Sequence, residues 1–477
     1  VPFKAQVRAF VVGSRGALWL LPWAILVGLT LRADPFGLTE EGAKALLLAW
    51  SIGDQVASGV LTLGAPDTRA ILFLPLGFIW PGQVIAAKIL TLFVMGVAAL
   101  ALYRWCRQQD QAEAALLATG LLLIAPLTVD GINSLAAGPF LLAVCALASW
   151  FDRKLTNERV SALGGWFFAQ ILACVVAVSL HPAGLAYPVM LFLTWWKKAP
   201  EMRNREYFLI GIPIVVVFVL AMRLGWSGMN WGENPVESAA AIFNGRIELM
   251  SRLDWVLGAV LSILTLAVMV HEYRRLWATM TGGVLLLSVC LGVVAADRTW
   301  ALLMFALLLY AGTPWLVRAL APLAGRGMVI ERGGLWLLLL LICTAFMQVN
   351  KIGYHAGQLR RLSVEDQLIS DFVEGVSNLG VADASGGHPM APILVASSWP
   401  ARTSIACKCD GLPLPPAAKD PDSQLAMMRG VSYLILGDVA LNGALASNFA
   451  QAGSRIEVLS RQAGGVVLHF KAAGTAL

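Results

Sequence analysis

Three carboxylates stand close together in Asp34-Pro-Phe-Gly-Leu-Thr-Glu-Glu-Gly-Ala-Lys44, directly after the first apolar segment of the chain. Acids beside a membrane surface can take a proton from a nucleophile. The same acids at a helix start have a plainer use, since they meet the helix dipole favourably and help to cap it, and Thr39 offers an N-cap hydroxyl. As a surface acid, Glu40 would add only about 0.3 to 1 kcal/mol to folding. Basic and proline-bearing stretches follow: Ala65-Pro-Asp-Thr-Arg-Ala-Ile-Leu-Phe-Leu-Pro-Leu76, then Lys88 within Ala86-Ala-Lys-Ile-Leu90.

The elements that must position these residues are those of a membrane protein. With 58% hydrophobic and 13% charged residues over 477 positions, and a mean hydropathy of +0.72, the chain is too apolar for a soluble globular protein. The net charge of +6 does not point to nucleic acid, because Lys and Arg lie in short runs between apolar segments, where they set topology. Basic Lys4, Arg8 and Arg15 precede an apolar run over 16–31, the pattern of an uncleaved signal-anchor with a cytoplasmic N-terminus. Residues 33–69 then form the first outside loop, in which Glu40 to Leu61 is predicted as an amphipathic helix along the membrane surface. A re-entrant or interfacial piece from Ile71 leads to a span starting near Gln83. Further spans are expected near 113–128, 132–151, 162–179, 183–196, 207–224, 254–271, 277–296, 299–317 and 334–350, about eleven in all. Predicted inside loops collect Arg153, Lys154, Lys197, Lys198, Arg274, Arg275 and Arg318, which puts the C-terminus outside.

Residues 1–350 are thus expected to form the membrane domain and 351–477 a small extracytoplasmic α/β domain. The latter is predicted to open with a helix over 358–378 and to continue with β-rich runs at 392–396, 431–436 and 465–470. The seven cysteines show no metal-ligand spacing, Cys407-Lys-Cys409 being read as two small loop residues open to oxidation. The five histidines are dispersed. No cofactor is required by these residues, and a divalent metal stays open.

The order of these features resembles the GT-C superfamily of membrane glycosyltransferases, especially the branch with the protein O-mannosyltransferases and the aminoarabinose transferases of lipid A. Thr39-Glu-Glu-Gly-Ala43 looks like the acidic motif of the first outside loop, Pro75-Leu76 like its proline segment, and Ala87-Lys88 like its basic position. Asn133 to Trp150 looks like the second outside loop entering the fourth span, and Ser179-Leu-His-Pro182 like the polar loop before the sixth. Two positions depart from the pattern. The leading acid is usually Asp but here is Glu40, and Ala137 stands where members often carry an acid before a proline, so that Asp130 is the nearest substitute.

The resemblance implies an inverting glycosyltransferase that uses a polyprenyl-phosphate-linked sugar at the extracytoplasmic face, in the bacterial inner membrane. A lipid phosphate leaves readily, so such an enzyme needs a base for the acceptor and cations for the phosphate. Glu40 is the candidate base, with Glu41 to orient it or tune its pKa. Arg69, Lys88, Arg246 and Arg298 are the candidate phosphate-binding cations, each with an equal claim as a snorkelling or topological charge. His181 is divided between ligand contact and turn residue. Expected partners are the donor, a lipid, glycan or protein acceptor, and membrane lipids. A non-catalytic relative that binds lipid or a partner as an assembly subunit of a membrane complex is the competing reading.

Overall fold

The computed structural model describes residues 33–57, 68–108, 112–157, 164–198, 269–292, 298–320, 364–383, 393–437, 442–451, 456–462 and 465–470, with positions 24, 25, 27, 28, 31 and 267. The spans expected at 207–224 and 334–350, most of those at 16–31 and 254–271, and Arg246 lie outside these residues. The chain divides into two compact units. One takes in Val1–Leu31, Val60–Pro75 and Ala86–Asn350, the other Arg32–Gly59, Leu76–Ile85 and Lys351–Leu477.

The first helix, α1 (Glu40–Ala57), counts with the second unit. The helical unit holds the first residues of α2 (Thr68–Ile79), then α3 (Val84–Arg107), α4 (Ala112–Ile124), α5 (Pro126–Asn133), α6 (Ala137–Asn157), α7 (Gly164–Leu180), a 3-10 turn (Pro182–Leu185), α8 (Ala186–Lys198), α9 (Met280–Gly292) and α10 (Arg298–Leu320). Among the described residues α3 alone is a single helix long and apolar enough to cross a bilayer. Its last turn carries Arg104 and Arg107, where cations meet the negative end of the helix dipole. The span expected over 113–128 is broken: α4 and α5 meet at a bend of 46°. Pro126 causes the break, because a residue before proline is pushed out of the helical region, and Ala125 is extended with ψ 137°. Pro126 instead opens α5, and the Thr128 hydroxyl donates to the Leu122 carbonyl at 2.6 Å, satisfying an end of α4.

Small residues let these helices approach closely. Ala115 and Ala118 of α4 and Ala306 and Ala311 of α10 are all buried, and the two helices pack together. Between them the Thr119 hydroxyl and Tyr310 phenol share a hydrogen bond of 2.7 Å. The Asp152 carboxylate of α6 accepts from the amides of Met280 and Thr281 at 2.7 and 3.0 Å, capping α9 from a neighbouring helix, an interaction worth about 0.5–2 kcal/mol.

Among the described residues the second unit is built on five strands: β1 (Leu394–Ser397), β2 (Asp410–Pro413), β3 (Tyr433–Gly437), β4 (Ile456–Gln462) and β5 (Gly465–Phe470). Their order is β2-β1-β3-β5-β4, with β1 parallel to β2 and β3, and β5 antiparallel to β3 and β4. The three expected β-rich runs therefore lie side by side at the sheet centre. Around them run α11 (Val364–Asp383), α12 (Pro400–Cys407), α13 (Pro421–Met427) and α14 (Gly443–Gln451). Alternation along β3 divides the core: Tyr433 and Ile435 meet Leu368 and Phe372 of α11, whereas Leu434 and Leu436 meet Leu445 and Phe449 of α14. Cys407 and Cys409 form a disulfide.

Within this unit α1 packs against α12. Sequence periodicity places the apolar stripe of α1 against the membrane surface; Ala45, Leu46 and Ala49 are instead fully buried in the protein. The close approach has a local cause. A Cβ at Gly77 would lie 2.5 Å from the Ala49 carbonyl oxygen, so only glycine lets α1 and the end of α2 come so near.

Candidate functional site

Glu40 lies in the first turn of α1, whose N-terminus is capped as expected by the Thr39 hydroxyl accepting from the Gly42 amide at 3.1 Å. Its own carboxylate does something the sequence does not disclose. The helix α12 begins Trp399-Pro400, and Trp399 supplies no side-chain cap to the free amides of the first turn. Glu40 supplies it from a distance: Oε1 accepts from the Ala401 amide at 3.0 Å and Oε2 from the Arg402 amide at 3.2 Å. Two helix N-termini thus converge on one carboxylate.

The side chain of Glu40 is 14% exposed, and the Lys44 ammonium stands 3.8 Å from Oε1. Burial raises its pKa above the ordinary glutamate value of 4.5, and the two amides, Lys44 and Arg402 pull against that rise. Each oxygen accepts one bond, which leaves further lone-pair directions for an incoming proton. Glu41, its neighbour, points to solvent.

Arg402 ties this corner together. Its guanidinium is 6% exposed and donates from Nη1 to Glu365 and from Nη2 to Asp366 at 2.6 Å, both acids in the first turn of α11. Asp366 in turn accepts the Gly37 amide with both oxygens at 3.2 Å. Gly37 adopts φ 80°, a left-handed conformation that favours glycine. The loop before Glu40, the start of α11 and the start of α12 are thereby joined by charge-assisted hydrogen bonds. Burial disfavours the charge on Arg402, but Asp366 and Glu365 outweigh it and raise its pKa. Sequence reading missed Arg402, Glu365 and Asp366, because nothing periodic links residue 40 to residue 402. The available signal was a helix start, Trp399-Pro400, without a capping side chain.

In the β2-β1-β3 part of the sheet the strand order reverses beside β1, the position where open α/β folds bind ligands at strand C-termini. Here the chain fills that position itself. Glu40 occupies the α12 amides beyond β1, and a Cβ at Gly437, the end of β3, would strike the Trp399 ring.

Other candidates belong to the helical unit. Arg69 is buried at the start of α2 and donates from Nη1 to the Leu135 carbonyl at 3.1 Å. Leu135 takes φ 54°, a conformation uncommon for a branched side chain, in the turn between α5 and α6. Asp130, in α5, is exposed one turn earlier. Thr68 and Ser179 share a hydroxyl–hydroxyl hydrogen bond, which brings the start of α2 to the end of α7, two residues before His181. His181 is 4% exposed and caps the 3-10 turn, its Nδ1 accepting from the Ala183 amide at 3.1 Å. A Cβ at Gly138 would lie 3.5 Å from the Thr299 Cα, so the start of α10, which carries Arg298, packs on the start of α6. Contacts within the helical unit thus join position 69 to 135, 68 to 179 and 138 to 299. Lys88 is fully buried in α3. Among the described residues no three or more His, Cys, Asp or Glu side chains come together as a metal site.

No family model matches the chain, and no curated protein matches it in sequence. Solved structures do. ArnT from Cupriavidus metallidurans bound to undecaprenyl phosphate superposes with a TM-score of 0.53 at 14% identity, over 99% of both chains. The apo state of ArnT gives 0.50 at 14% identity, over 98% of both. The archaeal oligosaccharyltransferase AglB from Archaeoglobus fulgidus, in complex with an inhibitory peptide and a dolichol-phosphate, gives 0.50 at 10% identity, over 92% of this chain and 72% of AglB. The sequence resemblance and these superpositions agree, and the chain has the fold of the GT-C membrane proteins.

Proposed function

We propose that the protein is an inverting glycosyltransferase that moves a sugar from a polyprenyl-phosphate-linked donor to an acceptor at the extracytoplasmic membrane face, with Glu40 as its base. One observation carries this reading: the expected base is a nearly buried carboxylate whose pKa is raised by that burial, in a chain with the GT-C fold. A raised pKa brings a carboxylate closer to the range in which it accepts protons effectively at working pH. Glu40 takes the proton of an acceptor hydroxyl or amine. The acceptor oxygen or nitrogen then bonds to the anomeric carbon of the sugar, and the bond from that carbon to the phosphate oxygen breaks. The lipid phosphate departs with the electron pair and its negative charge, which Arg69, Lys88, Arg298 and Arg246 are placed in this reading to offset. Glu41 orients Glu40, Asp130 stands in for the acid absent at Ala137, and His181 shapes the polar turn.

The polyprenyl phosphate is supported by the lipid phosphates bound to ArnT and AglB. The membrane location, with N-terminus inside and residues from Lys351 outside, is supported by composition and by the Lys and Arg distribution. A second reading, the assembly subunit, is favoured by one specific observation: both Glu40 oxygens are used in capping α12, as a purely structural carboxylate would be. Incubation of purified protein in lipid with radiolabelled polyprenyl-phosphate sugars and a panel of acceptors separates the two. Transfer to an acceptor is the expected result, and its absence across all donors leaves the assembly subunit.

A further inference from the structure

The acidic loop after the first apolar segment has no regular structure of its own between Ala33 and Thr39, so something must hold it. In this unit the holding groups come from residues more than three hundred positions away. The Gly37 amide ends on Asp366, and the Glu40 carboxylate ends on the first-turn amides of α12. These two anchor points belong to different helices, α11 and α12, and the Arg402 guanidinium spans them through Glu365 and Asp366. Arg402 also stacks its cation over the Trp399 ring at 5.6 Å, where Trp399 closes the end of β3. A planar fork suits this task, since it can bond two carboxylates at once, whereas an ammonium is a single point charge.

We propose that Arg402 is a positioning residue for the transfer reaction: by locking α11 to α12 it holds the 34–40 loop so that Glu40 sits on the α12 amides. This rests on the reading of Glu40 as the base. The C-terminal domain is then part of the catalytic apparatus, and its ligand position at the reversal of strand order serves to seat a carboxylate from the chain itself. Arg402 does not touch the reacting atoms; it acts through Asp366 and the α12 backbone.

The test uses full-length protein in lipid nanodiscs, unaltered and as Arg402→Met, Arg402→Lys and Asp366→Asn, read by sugar-transfer kinetics and by hydrogen exchange. Arg402→Met is expected to lower kcat by about 10²-fold, the scale of a misplacement on the order of 1 Å, with the donor KM unchanged. Exchange at Gly37, Ala401 and Arg402 amides should quicken by roughly tenfold or more as the corner opens locally, while exchange along β3 stays as it was. Arg402→Lys, unable to span both acids, should fall between. Should Arg402→Met not fold, Asp366→Asn carries the test, with faster Gly37 exchange and reduced kcat expected. Unaltered exchange at Gly37 and Ala401, or unaltered kcat where exchange has quickened, overturns the proposal. If the unaltered protein transfers no sugar, the enzyme reading falls, and the exchange data alone decide whether Arg402 holds Glu40.

Discussion

Glu40 sits where two demands on one side chain meet. As a cap it must stay charged and engaged with Ala401 and Arg402; as a base it must take up a proton. Its raised pKa sets the sign of its pH dependence. The folded state holds the proton to higher pH than the unfolded state, so its contribution to stability is greatest below pH 4.5 and falls as pH rises from there through the raised folded value. Lys44 and Arg402 face the group with positive charge and Asp366 lies beyond Arg402 with negative. Denaturation of the unaltered protein and Glu40→Gln across pH 4 to 7 is expected to show this decline only in the former. Because each oxygen accepts an amide, the nitrogen of a glutamine side chain would confront a donor. Glu40→Gln should therefore cost about 1–3 kcal/mol, more than the surface acid suggested by sequence alone. Equal midpoints for the two proteins at pH 7 would show the cap to be dispensable. In the helical unit, Arg69→Met leaves the buried Leu135 carbonyl without its donor and should cost about 1–3 kcal/mol, read from thermal unfolding in detergent.

At the scale of elements, glycine contacts and helix caps decide how the secondary structure meets. A Cβ at Gly184 would strike the Ala177 carbonyl, so Gly184→Ala should cost about 1–3 kcal/mol and displace the His181 turn; an unchanged melting temperature would refute the tight packing there. Much of the element plan was legible. Thr39 was recognisable as a cap and the central strands β1, β3 and β5 as apolar runs between turn residues, whereas Pro126 was read through as part of one span and Pro75 lies inside α2. The edge strands β2 and β4 were not, because they carry exposed polar positions such as Asp410, Glu457 and Arg461 and lack a continuous apolar run. The use of α1 was also hidden. An apolar stripe looks the same whether it meets lipid or protein, and only the tertiary structure shows α12 beside it.

For the whole molecule, the division into units joins Arg32–Gly59 to Lys351–Leu477, so the acidic loop and the C-terminal domain form one compact body. Removal of residues after Asn350 should then strip α1 of its contact with α12. Limited proteolysis in membranes is expected to cut within 33–57 of the truncated chain and spare it in the full chain; equal resistance would mean that α1 holds without its partner. The candidate cations Arg69 and Lys88 belong to the helical unit. The most direct test is the pH dependence of sugar transfer by the unaltered protein and Glu40→Gln, at matched folded concentration. A base at Glu40 gives an ascending limb centred above pH 4.5 in the unaltered protein, and a loss of about 10² to 10⁴-fold with no such limb in the variant. Parallel profiles of equal height would contradict it.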